Sequence, residues 1–397
     1  MTEDNGLLLA PGTRLLHIGP HKTGSTMLQG ALSLARDRLA AAGVFYPGKG
    51  RQPLSPVLAV TNQPPLLGGI TPKIAYWHSL VASFDAADAR LGVLSSEFFD
   101  EADDEAAQRV VTDLGGSRVH VVVTLRPLTS IIPSQWQQYL QNGYSFSYPD
   151  WLTGILSDPP VTPTPGFWRR HRHDELIARW AAAVGPANLT VIVTDGSDPM
   201  LLLRTFESML GLPSGFLVPE QGTVNRSLTW AEAEFVRLLN QEYHRQQWPD
   251  RKYPVFMRDG AVARMKSGRH PAADEQKILT PQWALERAAS IGAEMAEKIL
   301  ALGVRVVGDI AVLGRVPSAR PGTETELSAG PPPIPAQAAA LAVTGAFDAG
   351  GIGGQPAADV LSEVQAGDII RVLLNRTRQR LRRKLRAAAL RPRGARA

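Results

Sequence analysis

Short apolar runs alternate with amphipathic stretches over most of this chain. Apolar runs at 14–18, 91–96, 118–125 and 188–194 predict strands. The run Val119 to Leu125 reads VHVVVTL, a nearly unbroken valine-rich string suited to a central parallel strand covered on both faces. Between the runs the apolar period lengthens. Leu28, Leu32, Ala35 and Leu39 share one face of a helix predicted over 25–42. Further helices are predicted over 101–114, 130–142, 199–210, 229–246 and 282–302, with a Trp- and Arg-rich helical stretch at 167–184. Boundary residues agree with several of these. Gly211 with Pro213 beyond it stops the 199–210 helix, and Thr229 with Glu232 forms a capping box for the next. Thr129 or Ser130 is expected to cap the 130–142 helix, with Pro133 in its first turn. The apolar run Val304–Leu313 packs as a last piece of the body. Strand–helix alternation of this kind predicts an α/β fold with a parallel sheet flanked by helices.

The pattern changes in two places. Residues 47–75 are rich in Pro and Gly and read as a loop region. From 317 to 355 the composition shifts to Pro, Ala and Gly, with PPPIP at Pro331–Pro335 and GGIGG at Gly350–Gly354, which reads as a disordered linker. Leu361 to Leu390 can then form a basic amphipathic helix with Leu374, Leu381 and Leu385 on one face. The expected organisation is an α/β domain over 1–316, a linker over 317–355 and a basic tail over 356–397.

Charge follows that division. Residues 371–397 carry 11 of the 42 basic residues and none of the 37 acidic ones, so the rest of the chain has a net charge of −6. The overall basicity is a property of the tail and does not mark the body as a nucleic-acid binder. The tail suits an anionic membrane surface or a polyanion, or it is a solvated basic extension. There are no cysteines, so no disulfide framework exists, and no apolar run approaches 18 residues. The start MTEDNG does not resemble a secretory signal, and a cytoplasmic, membrane-peripheral location is the expectation.

Candidate chemistry concentrates at His17 to Met27, HIGPHKTGSTM, between the first predicted strand and the first predicted helix. A glycine-bearing turn with a lysine and hydroxyl residues, opening a helix, makes a phosphate cradle from backbone N–H groups, the helix dipole and a mobile charge. It is not the loop of ATP- or GTP-hydrolysing enzymes, which places lysine directly after the second glycine. Here Ser25 follows Gly24, and Lys22 lies two residues before it. Arg126 ends the valine-rich strand, and Ser134 lies eight residues on in the next helix. A guanidinium and a hydroxyl placed so can grip one phosphate together.

Both elements resemble the sulfotransferases that use 3′-phosphoadenosine-5′-phosphosulfate (PAPS). The family's loop reads P-K-[ST]-G-[ST]-[ST], and this chain has His21 where the proline stands. The block His17–Gln29 looks most like the bacterial and glycan-directed branches. The family's second motif also sets an arginine at a strand end and a serine eight residues later. The resemblance implies the P-loop nucleoside-triphosphate-hydrolase-like sulfotransferase fold and transfer of a sulfuryl group from PAPS to a hydroxyl or amine of a glycan, lipid or small metabolite. It implies that Lys22 stabilises charge on the bridging oxygen, that Thr23, Gly24, Ser25 and Thr26 bind the 5′-phosphate, and that Arg126 and Ser134 bind the 3′-phosphate. It implies no metal, in keeping with the absence of cysteine and of an H-E-x-x-H motif.

The base is open at this level. Glu97 ends the predicted strand 91–96 and is the first candidate, and His21 and His78 are the alternatives. Arg226, in Asn225-Arg226-Ser227, and the basic stretch Arg258–Arg269 are further candidates for nucleotide contacts. The acceptor pocket is expected from loops 47–80 and 143–170. A nucleotide-dependent kinase and a non-catalytic nucleotide- or polyanion-binding protein remain as alternatives, and the oligomeric state is not read from the sequence.

Overall fold

The computed structural model describes residues 6–65, 70–164, 166–220, 226–317 and 333–350. Six strands form one parallel sheet: β1 (Arg14–His17), β2 (Val44–Phe45), β3 (Leu91–Ser95), β4 (Val119–Leu125), β5 (Leu189–Val193) and β6 (Arg305–Val307). Their order is β2-β3-β1-β4-β5-β6, so β1 lies between β3 and β4. Alternate residues of the strands enter opposite cores. Leu16, Leu94, Val121 and Val191 pack on one side, and Leu15, Val93, Val122 and Ile192 on the other. That is why the valine run shows no alternation: every residue of β4 is buried. A helical body beside the sheet is built on Trp136, Tyr148, Trp151, Phe167 and Trp230.

A polar contact crosses the centre of the sheet. His17, the last residue of β1, is fully buried, with Nδ1 2.8 Å from Ser95 Oγ and Nε2 3.0 Å from Thr124 Oγ1. The ring therefore joins β3, β1 and β4 just below their carboxyl ends. Burial pushes its pKa down to about 3.

Several predicted elements are revised. The 25–42 helix divides at Ala35 into Ser25–Leu34 and Arg36–Ala41. The loop region 47–75 holds the Leu54–Val60 helix, and Ala75 opens another, Ala75–Ala86. Arg172 separates Gly166–His171 from His173–Val184. The 130–142 helix begins earlier, as Leu128–Gln141, with Pro127 at its cap and no side-chain cap bond, and Pro133 falls inside it rather than in its first turn. A π-helical segment, Pro254–Val262, wider and more loosely wound than an α-helix, continues into Ala263–Ser267, a conformation that periodicity does not announce.

The largest revision concerns the linker. Ala336–Ala349 is a helix, inside the stretch that composition marks as disordered. Its alanines are good helix formers, and Pro335 occupies the cap, where a missing N–H costs nothing. It packs on the Pro254–Ser267 segment through glycine. A Cβ on Gly345 would lie 2.5 Å from Gly260 O and 2.5 Å from Arg264 Cβ. The predicted tail helix and the basic residues at 371–397 lie outside the described residues.

Four buried histidines make the fold acid-sensitive. Burial holds His120 and His173 down at about 4 and His171 well below its ordinary value, as it does His17. The folded chain keeps these rings neutral, whereas the unfolded chain protonates them below about 6.5. Unfolding therefore takes up protons in this window, and stability falls as pH falls. Urea titrations between pH 7 and 4.5 should show the unfolding constant rising steeply, with His17→Gln flattening the slope. An unchanged midpoint across that range would contradict it.

Candidate functional site

Because the sheet is parallel, the segments leaving β1, β3 and β4 emerge at one edge, the edge where open α/β sheets bind ligands. The register sets His17 beside Ser95 and Val122. The phosphate loop then leaves β1, Glu97 stands two residues past β3, and Arg126 follows β4 directly. A cavity of about 450 Å³ opens there. Its walls include Lys22, Gly24, Ser25, Thr26, Glu97, Arg126 and Ser134, seven of the eight residues expected from the two motifs and the strand end.

Thr23 is the exception. It is buried, and its hydroxyl donates to Pro20 O at 2.6 Å, holding the loop's own shape. The loop turns through left-handed backbone at Gly19, Lys22 and Gly24, with φ of 81°, 68° and 112°. Gly24 is the N-cap of Ser25–Leu34 and makes no side-chain cap bond, so the helix's first N–H groups face the cavity end of the loop. Ser25 Oγ is buried with no hydrogen-bond partner among the described residues. An orphaned hydroxyl at a helix N-terminus fits an anionic oxygen.

Glycine at position 19 is a packing requirement as well as a conformational one. A Cβ there would lie 2.9 Å from both Cα and Cβ of Glu97. The loop is thus pressed against the turn Glu97–Glu101. His21 fastens the same contact: its backbone N–H donates to Asp100 Oδ2 at 3.1 Å, and its Nδ1 lies 2.6 Å from that oxygen. Asp100 is completely buried.

Lys22 Nζ donates to Gln138 Oε1 at 2.9 Å, a neutral partner. Burial, followed by the nearby charge of Lys266, pushes Lys22 down to about 8, and Glu97 opposes the shift. Burial also lowers the pKa of Arg126, whose Nη1 reaches only the Lys22 carbonyl, at 3.5 Å. Among the described residues, neither cation forms a salt bridge with a carboxylate. Two desolvated cations that form no salt bridge favour an anion between them.

Glu97 is already engaged. Its Oε2 accepts from Gln29 Nε2 at 2.7 Å and its Oε1 from Gln52 Nε2 at 3.3 Å. His21 lines the cavity, but His78 does not: it is exposed on the Ala75–Ala86 helix. Gln52 apart, the described part of loop 47–80 takes no part in this site.

Other residues complete the wall: Arg170, which pattern reading missed, and Arg226 and Lys266, from stretches it had marked as candidates. Arg170, from the Trp- and Arg-rich stretch, lines the cavity and is paired with Glu101. Lys266, inside the basic stretch Arg258–Arg269, also lines it, and burial lowers its pKa. Arg226 reaches the cavity while holding Glu232 through two bonds, Nη1–Oε2 at 2.7 Å and Nη2–Oε1 at 2.9 Å. The basic character of those stretches was visible, but which cation turns inward depends on tertiary packing. Asn225 lies outside the described residues. Among the described residues, no group of three or more His, Asp or Glu side chains is arranged to hold a metal ion, and no helix is long and apolar enough to cross a membrane.

No family model matches the sequence. No curated protein matches it either. Among solved structures, this chain is similar to a sulfotransferase from Alicyclobacillus acidocaldarius, with 14% identity and a TM-score of 0.38, over 60% of this chain and 94% of that one.

Proposed function

We propose that this protein is a PAPS-dependent sulfotransferase acting on a hydroxyl-bearing acceptor. The observation that carries the reading is the meeting of both phosphate motifs in one cavity, with two desolvated cations, Lys22 and Arg126, neither of which forms a salt bridge with a carboxylate among the described residues. The residues present fit a donor with two phosphate groups. The loop 22–26 and Ser25 Oγ would hold the 5′ end, and Arg126 with Ser134 the 3′-phosphate, which ATP lacks.

Lys22 would stabilise the charge that grows on the bridging oxygen as the bond to sulfur breaks. Two groups in the cavity can take the acceptor's proton, Glu97 and His21. The acceptor itself would enter from an adjoining cavity of about 600 Å³ that includes Tyr144 and Phe146 and shares Asn142 and Arg170 with the first. That position agrees with the expected loop 143–170.

Calorimetric titration with adenosine 3′,5′-bisphosphate, ATP and AMP tests the donor site. The bisphosphate should bind at micromolar concentration or tighter and well ahead of ATP and AMP. Arg126→Ala should weaken it about ten- to hundredfold, the loss of charge-assisted bonds. Equal or better binding of ATP would turn the assignment toward a kinase.

Lys22→Ala should lower kcat by about 10²–10³ with a smaller effect on bisphosphate affinity. Wild-type turnover in that variant would remove Lys22 from the chemistry.

Protonated Lys22 is the competent form, and it is lost as pH rises through about 8. The value of kcat/KM for the donor should therefore fall on the alkaline side, beginning near pH 8, since this parameter reports the free enzyme. A profile flat to pH 9.5 would show that the lysine charge is not required.

A further inference from the structure

We propose that His21, oriented by Asp100, is the general base that accepts the proton of the acceptor hydroxyl. The inference rests on the sulfuryl-transfer reading above and chooses between its two candidate bases. Three observations carry it.

The first is the tautomer. Asp100 Oδ2 accepts the backbone N–H of His21, so this oxygen acts as an acceptor, and Nδ1, 2.6 Å from it, must carry the ring hydrogen. Nε2 is left with its lone pair, the form a base needs. The second is placement. His21 is next to Lys22 in the loop, its side chain is 15% exposed, and it lines the same cavity. Nε2 has no protein partner among the described residues, and the edge of Phe98, with ring centroids 5.1 Å apart, fixes the ring's tilt. Nucleophilic and acid–base sites share this logic: a base on the substrate side, held by a buried carboxylate behind it. The third concerns the competitor. Each oxygen of Glu97 accepts a glutamine amide, and the second glutamine, Gln52, is itself fixed by Ser96 Oγ at 2.7 Å. Glu97 shares the cavity with Lys22, and its charge favours the lysine's charged form.

The groups around His21 come from four segments. Glu97 and Asp100 belong to the turn after β3, Lys22 to its own loop, and Arg170 and His171 to the Gly166–His171 helix. His173, from the next helix, senses Asp100. In the transfer, the acceptor O–H proton passes to Nε2 while the acceptor oxygen bonds to sulfur. The bond between sulfur and the bridging oxygen breaks, and its electron pair stays on the 5′-phosphate of the leaving bisphosphate. The imidazolium then returns its proton to solvent.

The test uses the full chain with PAPS, and with water, glucose and 2-naphthol as hydroxyl probes, following bisphosphate release. His21→Gln should lower kcat about 10²–10³-fold, keep bisphosphate affinity within about threefold and lose the acid limb of the pH profile. Added imidazole should restore part of the activity of His21→Gly. Asp100→Asn, a change to the positioning residue, should move the acid limb to lower pH. Glu97→Gln should keep the acid limb and move the alkaline limb to lower pH, as Lys22 loses its support. Nitrogen NMR of labelled histidine should show His21 with hydrogen on Nδ1, and that preference should be lost in Asp100→Asn. Hydrogen on Nε2 in the wild type, or an acid limb that survives His21→Gln and vanishes in Glu97→Gln, overturns the assignment of the base. No PAPS turnover by the wild type with any probe overturns the sulfuryl-transfer reading, and the base with it. Turnover retained in His21→Gln overturns the base alone.

Discussion

The site depends on one contact, the docking of the loop after β1 onto the turn after β3. Gly19 meets Glu97 with no space for a side chain, and the two bonds from His21 to Asp100 close the same seam. Gln29, one turn into the following helix, reaches back to Glu97. This seam fixes where Lys22 stands, which way the helix N-terminus points and how far the loop lies from Arg126. Below it, His17 ties β3, β1 and β4 together, so the strand ends cannot splay without breaking a buried polar contact. The geometry of the cradle is therefore inherited from the sheet rather than from the loop alone.

The electrostatic design divides the cations by task. Arg170 and Arg226 are neutralised by Glu101 and Glu232 and serve as fixed walls. Arg269 shares Glu232 from the other side and ties the segment carrying Lys266 to the capping box of Trp230–Arg245. Lys22 and Arg126 bond to neutral oxygens instead, and burial disfavours their charge. Energy withheld from these two cations in the free protein is recovered when an anion arrives, which makes the pair selective for multiply charged ligands.

The four inner strands were legible because they are nearly pure apolar strings, while the edge strands β2 and β6, two and three residues long, carry too little pattern to be read. The motifs were legible because a phosphate cradle needs its residues in a short run. The 317–355 reading went wrong at Ala336–Ala349 because composition does not distinguish an alanine-rich linker from an alanine-rich helix. The difference lies in the partner surface: Gly260 presents backbone that the helix approaches closely at Gly345, and Gly268 leaves room for the Leu341 side chain. Asp100 carried no signal of its own in the sequence, since its partner His21 is 79 residues away in the chain. Pairings of that span leave no local trace. Lys266 and Arg170 were hidden for a related reason, lying among other basic residues that face elsewhere.

The Ala336–Ala349 helix changes the meaning of the segment it covers. Pro254–Val262 is a π-helix, an underwound form that is rare without support from its surroundings, and its buried residues Met257, Ala261 and Val262 give it a limited apolar anchor of its own. The helix adds Ala338 and Ala342 to that core and closes glycine to glycine at Gly260 and Gly345. The Leu341 side chain fills the space that a Cβ on Gly268 would take. Lys266 lies between these two contacts in the sequence, so its position over the cavity depends on an element that follows it by about 70 residues. The part of the cavity wall that carries Lys266 is thus held from the far end of the described chain, and the α/β body is not structurally complete at residue 316.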